Sequence, residues 1–535
     1  RTLPDTQRQQ ADCLFNTGLA LRRVGRYEEA LDTYQQALDF FRALPDTKYQ
    51  QADCLVNTGN TLCEVGRYEE ALTAYRDALG AYRALPDTEL QQAACLNNTG
   101  AVLGEMGRYE EALTAFQQTL DTYRTLPDTQ KDQANCLGDT GITLRRVGRY
   151  EDALTAFQQA LDTYRTLPGT QKDQANCLFN TGLTLRRMGR YEEALTSYQD
   201  ALGLYRTLPD TQRQQADCLF NTGIALDEVG RYEEALTSYQ QATNLYRTLP
   251  DTQRQQAKCL FSTGATLREV GRYEEALTSY QQATSLYQQV DGTQEEQADC
   301  LFSTGATLDR MGRYEEAFSS YRDALTLYRT LPGTQEDQAD CLNNTGATLR
   351  EVGRYEEALA AYRDALGLYR GLPGTELQQA DCLNNIGTIL NDIDKYRESL
   401  TFYQDALNLY HTLPGTEQRQ VTCLLNTGIT LRKASRYDEA LTAHRDALGL
   451  YRTLPGTQHQ QANCLFNTGA TLGEVGRYDE ALASYRDALG LYRTLPGTQR
   501  QQANCLHSTG ATLGEVGRYE EALTAYQQAA DFYRT

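Results

Sequence analysis

Four histidines, His411, His444, His459 and His507, are the groups able to exchange protons near neutral pH, and no two stand at a spacing that converges them. Fourteen cysteines could supply thiolates, but no Cys-x-x-Cys pair, phosphate-binding loop or nucleophile elbow accompanies them. Carboxylate pairs such as Glu28-Glu29 recur throughout the chain, which fits a solvated helix start and not a single acid–base site. These residues argue against an enzyme, and no metal or cofactor is expected. What remains is hydrogen-bonding and charge: a ladder of asparagines and a run of arginines, both suited to holding another molecule.

The element that must position them is a repeat. Prolines fall at Pro4, Pro45, Pro86, Pro127, Pro168, Pro209 and Pro250, then at Pro332, Pro373, Pro414, Pro455 and Pro496. Each step is 41 residues, or twice 41 across the gap where Asp291 replaces proline. Thirteen cysteines, from Cys13 and Cys54 to Cys505, keep the same interval, and only Cys63 stands apart. Thirteen copies of 41 make 533 of the 535 residues, so one array is expected to fill 1–535. A period of this length implies units that bury their apolar faces against their neighbours.

Composition limits the partners. Lys+Arg 51 against Asp+Glu 71 gives a net charge of −20, which repels phosphate backbones, so no nucleic acid is expected. No apolar run is long enough to span a membrane. Stacked helices lie about 8–10 Å apart, too far for the periodic cysteines to bridge, so the thiols read as buried and reduced and the location as cytoplasmic. Arg1-Thr2-Leu3 matches the tail of a repeat, as in Arg124-Thr125-Leu126, so the chain is expected to be a segment of a longer protein.

Within the first copy, Pro4-Asp5-Thr6 reads as a turn in which Asp5 or Thr6 caps a helix. Helix A is predicted over about 7–24: Cys13, Leu14, Thr17, Gly18, Leu21 and Val24 recur at spacings of three and four. Gly25 supplies a left-handed C-terminal residue. Helix B follows from Tyr27 to about Ala43, with Tyr27, Ala30, Leu31, Tyr34, Ala37, Leu38 and Phe41 on its stripe. A glycine within helix A costs about 1 kcal/mol relative to alanine. It nevertheless stands at the Gly18 column in all thirteen copies, which predicts close backbone approach of the two helices.

These residues resemble the tetratricopeptide repeat. Leu14, Thr17, Gly18 and Leu21 fill its first-helix slots, and Ala30, Tyr34 and Ala37 follow at the family spacing. The unit is seven residues longer than the usual 34, and with Leu-Asn-Asn-Thr-Gly…Gly-Arg-Tyr-Glu-Glu-Ala-Leu (342–358) it is similar to the long repeats of kinesin light chain. The resemblance implies an all-α fold, an α-solenoid wound as a right-handed superhelix of about thirteen repeats, with A helices lining the concave wall.

Thr6, Gln10, Cys13, Leu14, Gly18, Leu21 and Tyr27 recur in every copy, whereas the columns of 12, 15, 16, 19, 22 and 23 vary on the opposite face of helix A. By resemblance that face lines the groove. Its variation reads either as a diversified binding surface or as drift after duplication. Asparagine dominates one column: Asn16, Asn57, Asn98, Asn180, Asn221, Asn344, Asn385, Asn426 and Asn467. An amide both donates and accepts, so the ladder suits the backbone of an extended peptide; a local bond to the neighbouring helix is the alternative. By resemblance, such asparagines contact ligand main chain. Phe220 and Phe261 stand in the column of Phe15, as apolar members of the same face. Lys131, Arg145, Arg146, Lys172, Arg186 and Arg187 make one basic stretch in consecutive repeats. It reads as the seat of an acidic ligand segment, or as arginines complementing helix dipoles. The expected function is a scaffold for a protein or extended peptide, as the recognition or sensor part of a larger protein. The alternative is a structural array whose ends stack head to tail.

Overall fold

The computed structural model describes residues 4–534. They form 26 α-helices in thirteen A/B pairs, with no strand among the described residues. Arg1–Val270 form one compact unit and Gly271–Thr535 a second. Each unit is a stretch of α-solenoid in which every helix packs on its sequence neighbours within that unit. In repeat five, helix A spans Gln171–Arg187 and helix B Tyr191–Arg206. In repeat one, helix A runs Pro4–Arg23 and helix B Tyr27–Arg42, so Pro4 to Thr6 are helical where a turn was expected.

The A-to-B turn is built as the sequence implies. Gly25 is left-handed (φ 78°), its N–H reaches the Arg22 carbonyl at 3.1 Å, and the Arg26 N–H reaches that of Leu21 at 2.9 Å. This paired closure satisfies the last carbonyls of helix A. Arg26 then turns forward and holds Glu29 through two bonds of 2.6 and 2.5 Å. The other glutamate of the pair, Glu28, lies 3.5 Å from Arg67 of the next repeat. The recurring carboxylates are therefore ion-paired surface groups.

The B-to-A turn departs from expectation. Thr47 makes no side-chain cap on the helix it precedes. Its buried hydroxyl instead donates backwards, to the carbonyls of Phe41 and Leu44 at the end of the preceding helix B. Gln51, four residues on, donates to the same Phe41 carbonyl at 3.2 Å. The invariant Thr-x3-Gln pair is thus a clamp between repeats, closing carbonyls that a helix end leaves open. Asp46, between proline and threonine, is left-handed at φ 55°, which explains why this column alternates with glycine, as at Gly169 (φ 73°).

The glycine inside helix A makes room for a ring, not for backbone. A Cβ on Gly182 would lie 2.5 Å from Cε1 of Tyr198 on helix B. The cysteine column is buried in every repeat but the first, where Cys13 is exposed, and all fourteen thiols are free. Burial pushes the Cys54 thiol up to about 12, so these sulfurs act as small apolar groups.

Candidate partner-binding surface on the A helices

Position 12 was expected on the variable face with the others, but it serves the inside of the repeat. Tyr246 donates its hydroxyl to Asp217 at 2.5 Å, and Tyr164 donates to Asn135 at 2.6 Å. The same bond joins Tyr328 to Asp299 and Tyr410 to Asp381 in the second unit. Aspartate and asparagine interchange here because each offers the oxygen that a buried phenol needs.

The asparagine ladder lies on helix A, half-buried except for exposed Asn16. Asn57, Asn180, Asn221, Asn344 and Asn467 each donate one N–H to the carbonyl four residues back in their own helix, at 2.8–2.9 Å. Asn98 donates to Asn60 at 3.3 Å. The local bond is therefore intrahelical, and it leaves the second N–H and the oxygen of each amide for other use. Asn57 Oδ1 accepts from Arg22 at 3.4 Å. Asn385 and Asn426 are half-buried on the same face of the second unit.

The aromatic column leans inward. Phe220 packs on Tyr239 with ring centroids 5.8 Å apart, as Phe179 does on Tyr198. Phe261 is likewise half-buried. These rings present an edge to the surface while anchoring helix A on helix B.

Several charges of positions 22 and 23 are spent on rungs between successive A helices. Arg350 meets Asp392 at 3.0 Å, Arg432 meets Glu474 at 2.5 Å, and Thr266 and Thr348 donate to Asp227 and Asp309 at 2.9 Å. In repeats four and five the pattern breaks. Arg146 meets Glu105 at 2.9 Å and the Gly104 carbonyl at 3.2 Å. Arg145, Arg186 and Arg187 make no ion pair among the described residues, and the Nε atoms of Arg145 and Arg186 are buried without a hydrogen-bond partner. Burial, then the positive charges of Arg146 and Arg187, push the Arg145 pKa below its ordinary value. Lys131 is spent on Asp173 at 3.7 Å.

One feature of this face lay outside the sequence reading. A cavity of about 480 Å³ opens at repeats two and three, around Asn60 and Cys63. Its signals were present, since Asn60 is the one amide in its column and Cys63 the one cysteine off the 41-residue interval. No group of three or more metal-ligating side chains is found among the described residues. None of their helices is long and apolar enough to cross a membrane.

A family model described as tetratricopeptide repeat matches residues 10–84, 91–166, 173–248, 259–330, 305–371, 337–412, 378–453, 420–494 and 469–535. Among solved structures, BtubC (BKLC) from P. vanneervenii is similar at 17% identity, covering 42% of this chain and 92% of its own, with a TM-score of 0.38. The apo form of RapI is similar at 16% identity, covering 52% of this chain and 97% of its own, with a TM-score of 0.42. No curated protein matches the sequence.

Proposed function

The chain belongs to the tetratricopeptide repeat family, and from that premise we propose that it is a non-catalytic scaffold that binds an extended acidic segment of a partner along its A helices. One observation carries the reading: Arg145, Arg186 and Arg187, in consecutive repeats, stand without anionic partners, whereas Arg350 and Arg432, in the column of Arg145 and Arg186, are paired with Asp392 and Glu474. Three uncompensated guanidiniums, two of them half-buried, favour an incoming carboxylate, and arginine binds carboxylates in two-pronged fashion. The free oxygens and N–H groups of Asn180 and Asn221 flank this stretch and suit the main chain of such a segment. The scaffold serves as the recognition or sensor part of a larger protein, in a reducing compartment such as the cytosol, which suits its free thiols.

The test is affinity capture from source lysate read by mass spectrometry, beside a control in which Arg145, Arg146, Arg186 and Arg187 become glutamate. A partner held by the native array and lost by the control supports the reading. Identical partners on both sink it.

A second reading is head-to-tail association of copies. Helix B of repeat thirteen, Tyr519–Arg534, exposes Tyr519, Leu523, Tyr526 and Tyr533. Cys13 of the first helix A is exposed, where its equivalents are buried against the preceding helix B. The two faces are those that pair within each unit, so a second copy could join them, as could any repeat that continues the array. Sedimentation decides: concentration-dependent growth abolished by Leu523→Glu supports association, and a monomer at every concentration excludes it.

A further inference from the structure

Repeat two departs from its neighbours on one helical turn. Its column-19 residue is Asn60, where the other repeats carry an apolar residue or Thr388, and three residues later Cys63 replaces the arginine, aspartate or glycine usual in that column. The next repeat places Ala101 and Gly104 at the corresponding positions, so little side chain fills the space between. The result is the 480 Å³ cavity, bordered by Arg22, Asn60, Cys63, Glu64, Asn98 and Glu105, within the size range of ligand-holding clefts.

The polar groups of its floor are preorganised. Tyr75, itself 2% exposed, donates its hydroxyl to Asn60 Oδ1 at 2.7 Å, and Asn98 donates to the same oxygen at 3.3 Å. Cys63 Sγ lies 3.6 Å from the Tyr75 oxygen. Asn60 is thereby held with its oxygen filled, while Asn98, which also lines the cavity, keeps its own oxygen for another donor. At the rim, Glu64 makes no ion pair among the described residues, and Glu105 is shared with Arg146 of repeat four. Arg22, the one cation of the lining, directs its guanidinium at Asn57. The carboxylate oxygens of Glu64 and Glu105 and the Asn98 amide oxygen are the acceptors of the lining, beside the N–H donors of Asn60.

We propose that this cavity is a subsite for a cationic side chain, lysine or arginine, of the peptide whose acidic segment lies at repeats four and five. The proposal rests on the acidic-segment reading for its ligand but not for its chemistry. Glu64 and Glu105 take the charge, the Asn98 oxygen takes an N–H, and Glu105, touching Arg146, joins the subsite to the basic stretch. The ligand is then read in one direction, with its basic residue toward repeat two and its acidic run toward repeat five.

The experiment uses the intact chain and synthetic probes: an acetylated oligoglutamate, and the same peptide with a lysine pair beyond a short glycine spacer at either end. Glutamine pairs serve as controls. Binding is measured by calorimetry, and occupancy by the alkylation rate of Cys63 relative to exposed Cys13. The expected result is that one lysine peptide, and only one, binds about fivefold or more tighter than its glutamine control, the gain ordinary for a charge-assisted pair. The same peptide slows Cys63 alkylation, and Glu64→Gln removes both effects. Lysine peptides equal to their controls, or an unprotected Cys63, overturn the subsite while leaving oligoglutamate binding intact. If oligoglutamate itself fails to bind, the acidic-segment reading falls. The subsite is then decided by the lysine–glycine portion alone: Cys63 protection that Glu64→Gln abolishes supports it, and no protection overturns it.

Discussion

His444 of helix B lies against Gly428 of helix A in the space that a tyrosine ring fills against Gly182, Gly387 and Gly469. It is fully buried, and neither ring nitrogen has a hydrogen-bond partner. Burial, with Arg432 nearby, pushes its pKa from 6.5 to about 4. The unfolded chain therefore binds a proton that the folded repeat resists. Stability contributed by the neutral ring is complete above pH 6.5, falls as pH drops, and is lost by about pH 4. The full loss is about 3 kcal/mol. Hydrogen exchange of residues 417–451 followed from pH 7 to pH 4 should show opening that His444→Tyr suppresses. An unchanged acid profile in the variant would refute the assignment.

Glycines of this chain divide into two kinds with opposite predicted effects. At Gly182 an added Cβ meets the Tyr198 ring at 2.5 Å, whereas at Gly203, exposed on helix B, it meets nothing within 4 Å. Overpacking costs about 1–3 kcal/mol, more than the helix propensity regained. Gly182→Leu should therefore lower the thermal midpoint and disrupt its repeat. Gly203→Ala should raise stability by about 1 kcal/mol, since only the propensity gain operates there. Melts that move in the same direction would defeat the packing argument.

The clamp between repeats makes a sharper test. Thr211 donates to the carbonyls of Tyr205 and Leu208 at 2.6 and 3.1 Å and is 1% exposed. Thr211→Val keeps the shape, strands the Leu208 carbonyl and takes from Gln215 the hydroxyl it donates to, at a cost of about 1–3 kcal/mol. Thr211→Ser should restore most of it. Equal melts for the valine and serine variants would show that the methyl, not the hydroxyl, matters.

How far the sequence carried the fold depends on whether a feature is local. The 41-residue period, the A/B hairpin and the left-handed Gly25 column are set by spacing along the chain, and all appear where spacing puts them. The threonine of the Thr6 column donates at Thr47 instead of capping, because a hydroxyl can accept or donate and the position of the preceding helix end makes it a donor. Asp217, in the column of position 12, faces the inside of the repeat for a similar reason: its partner, the Tyr246 hydroxyl, is 29 residues away on another helix. The basic stretch was legible as charge. That Arg146 is neutralised and Arg145 is not became visible only when Glu105 was placed beside the former. The cavity at Asn60 depends on the register of four helices at once.

The bond between Tyr246 and Asp217 yields the last prediction. Burial raises the Asp217 pKa above its ordinary 3.8, and the hydrogen bond from Tyr246 only partly offsets this. The folded state thus holds the proton more tightly than the unfolded one, so this group favours the fold in acid and loses that advantage as pH rises through its folded pKa. Its slope is opposite in sign to that of His444. Asparagine performs the same task without charge, as where Tyr205 donates to Asn176 at 2.5 Å. Asp217→Asn should keep the Tyr246 bond, raise stability at neutral pH, and remove this part of the pH dependence, because no carboxylate need then be desolvated. Chemical denaturation at pH 7 and pH 4 measures it. A variant less stable than the native chain at pH 7 would mean that the Asp217 charge contributes to the fold, contrary to the burial argument.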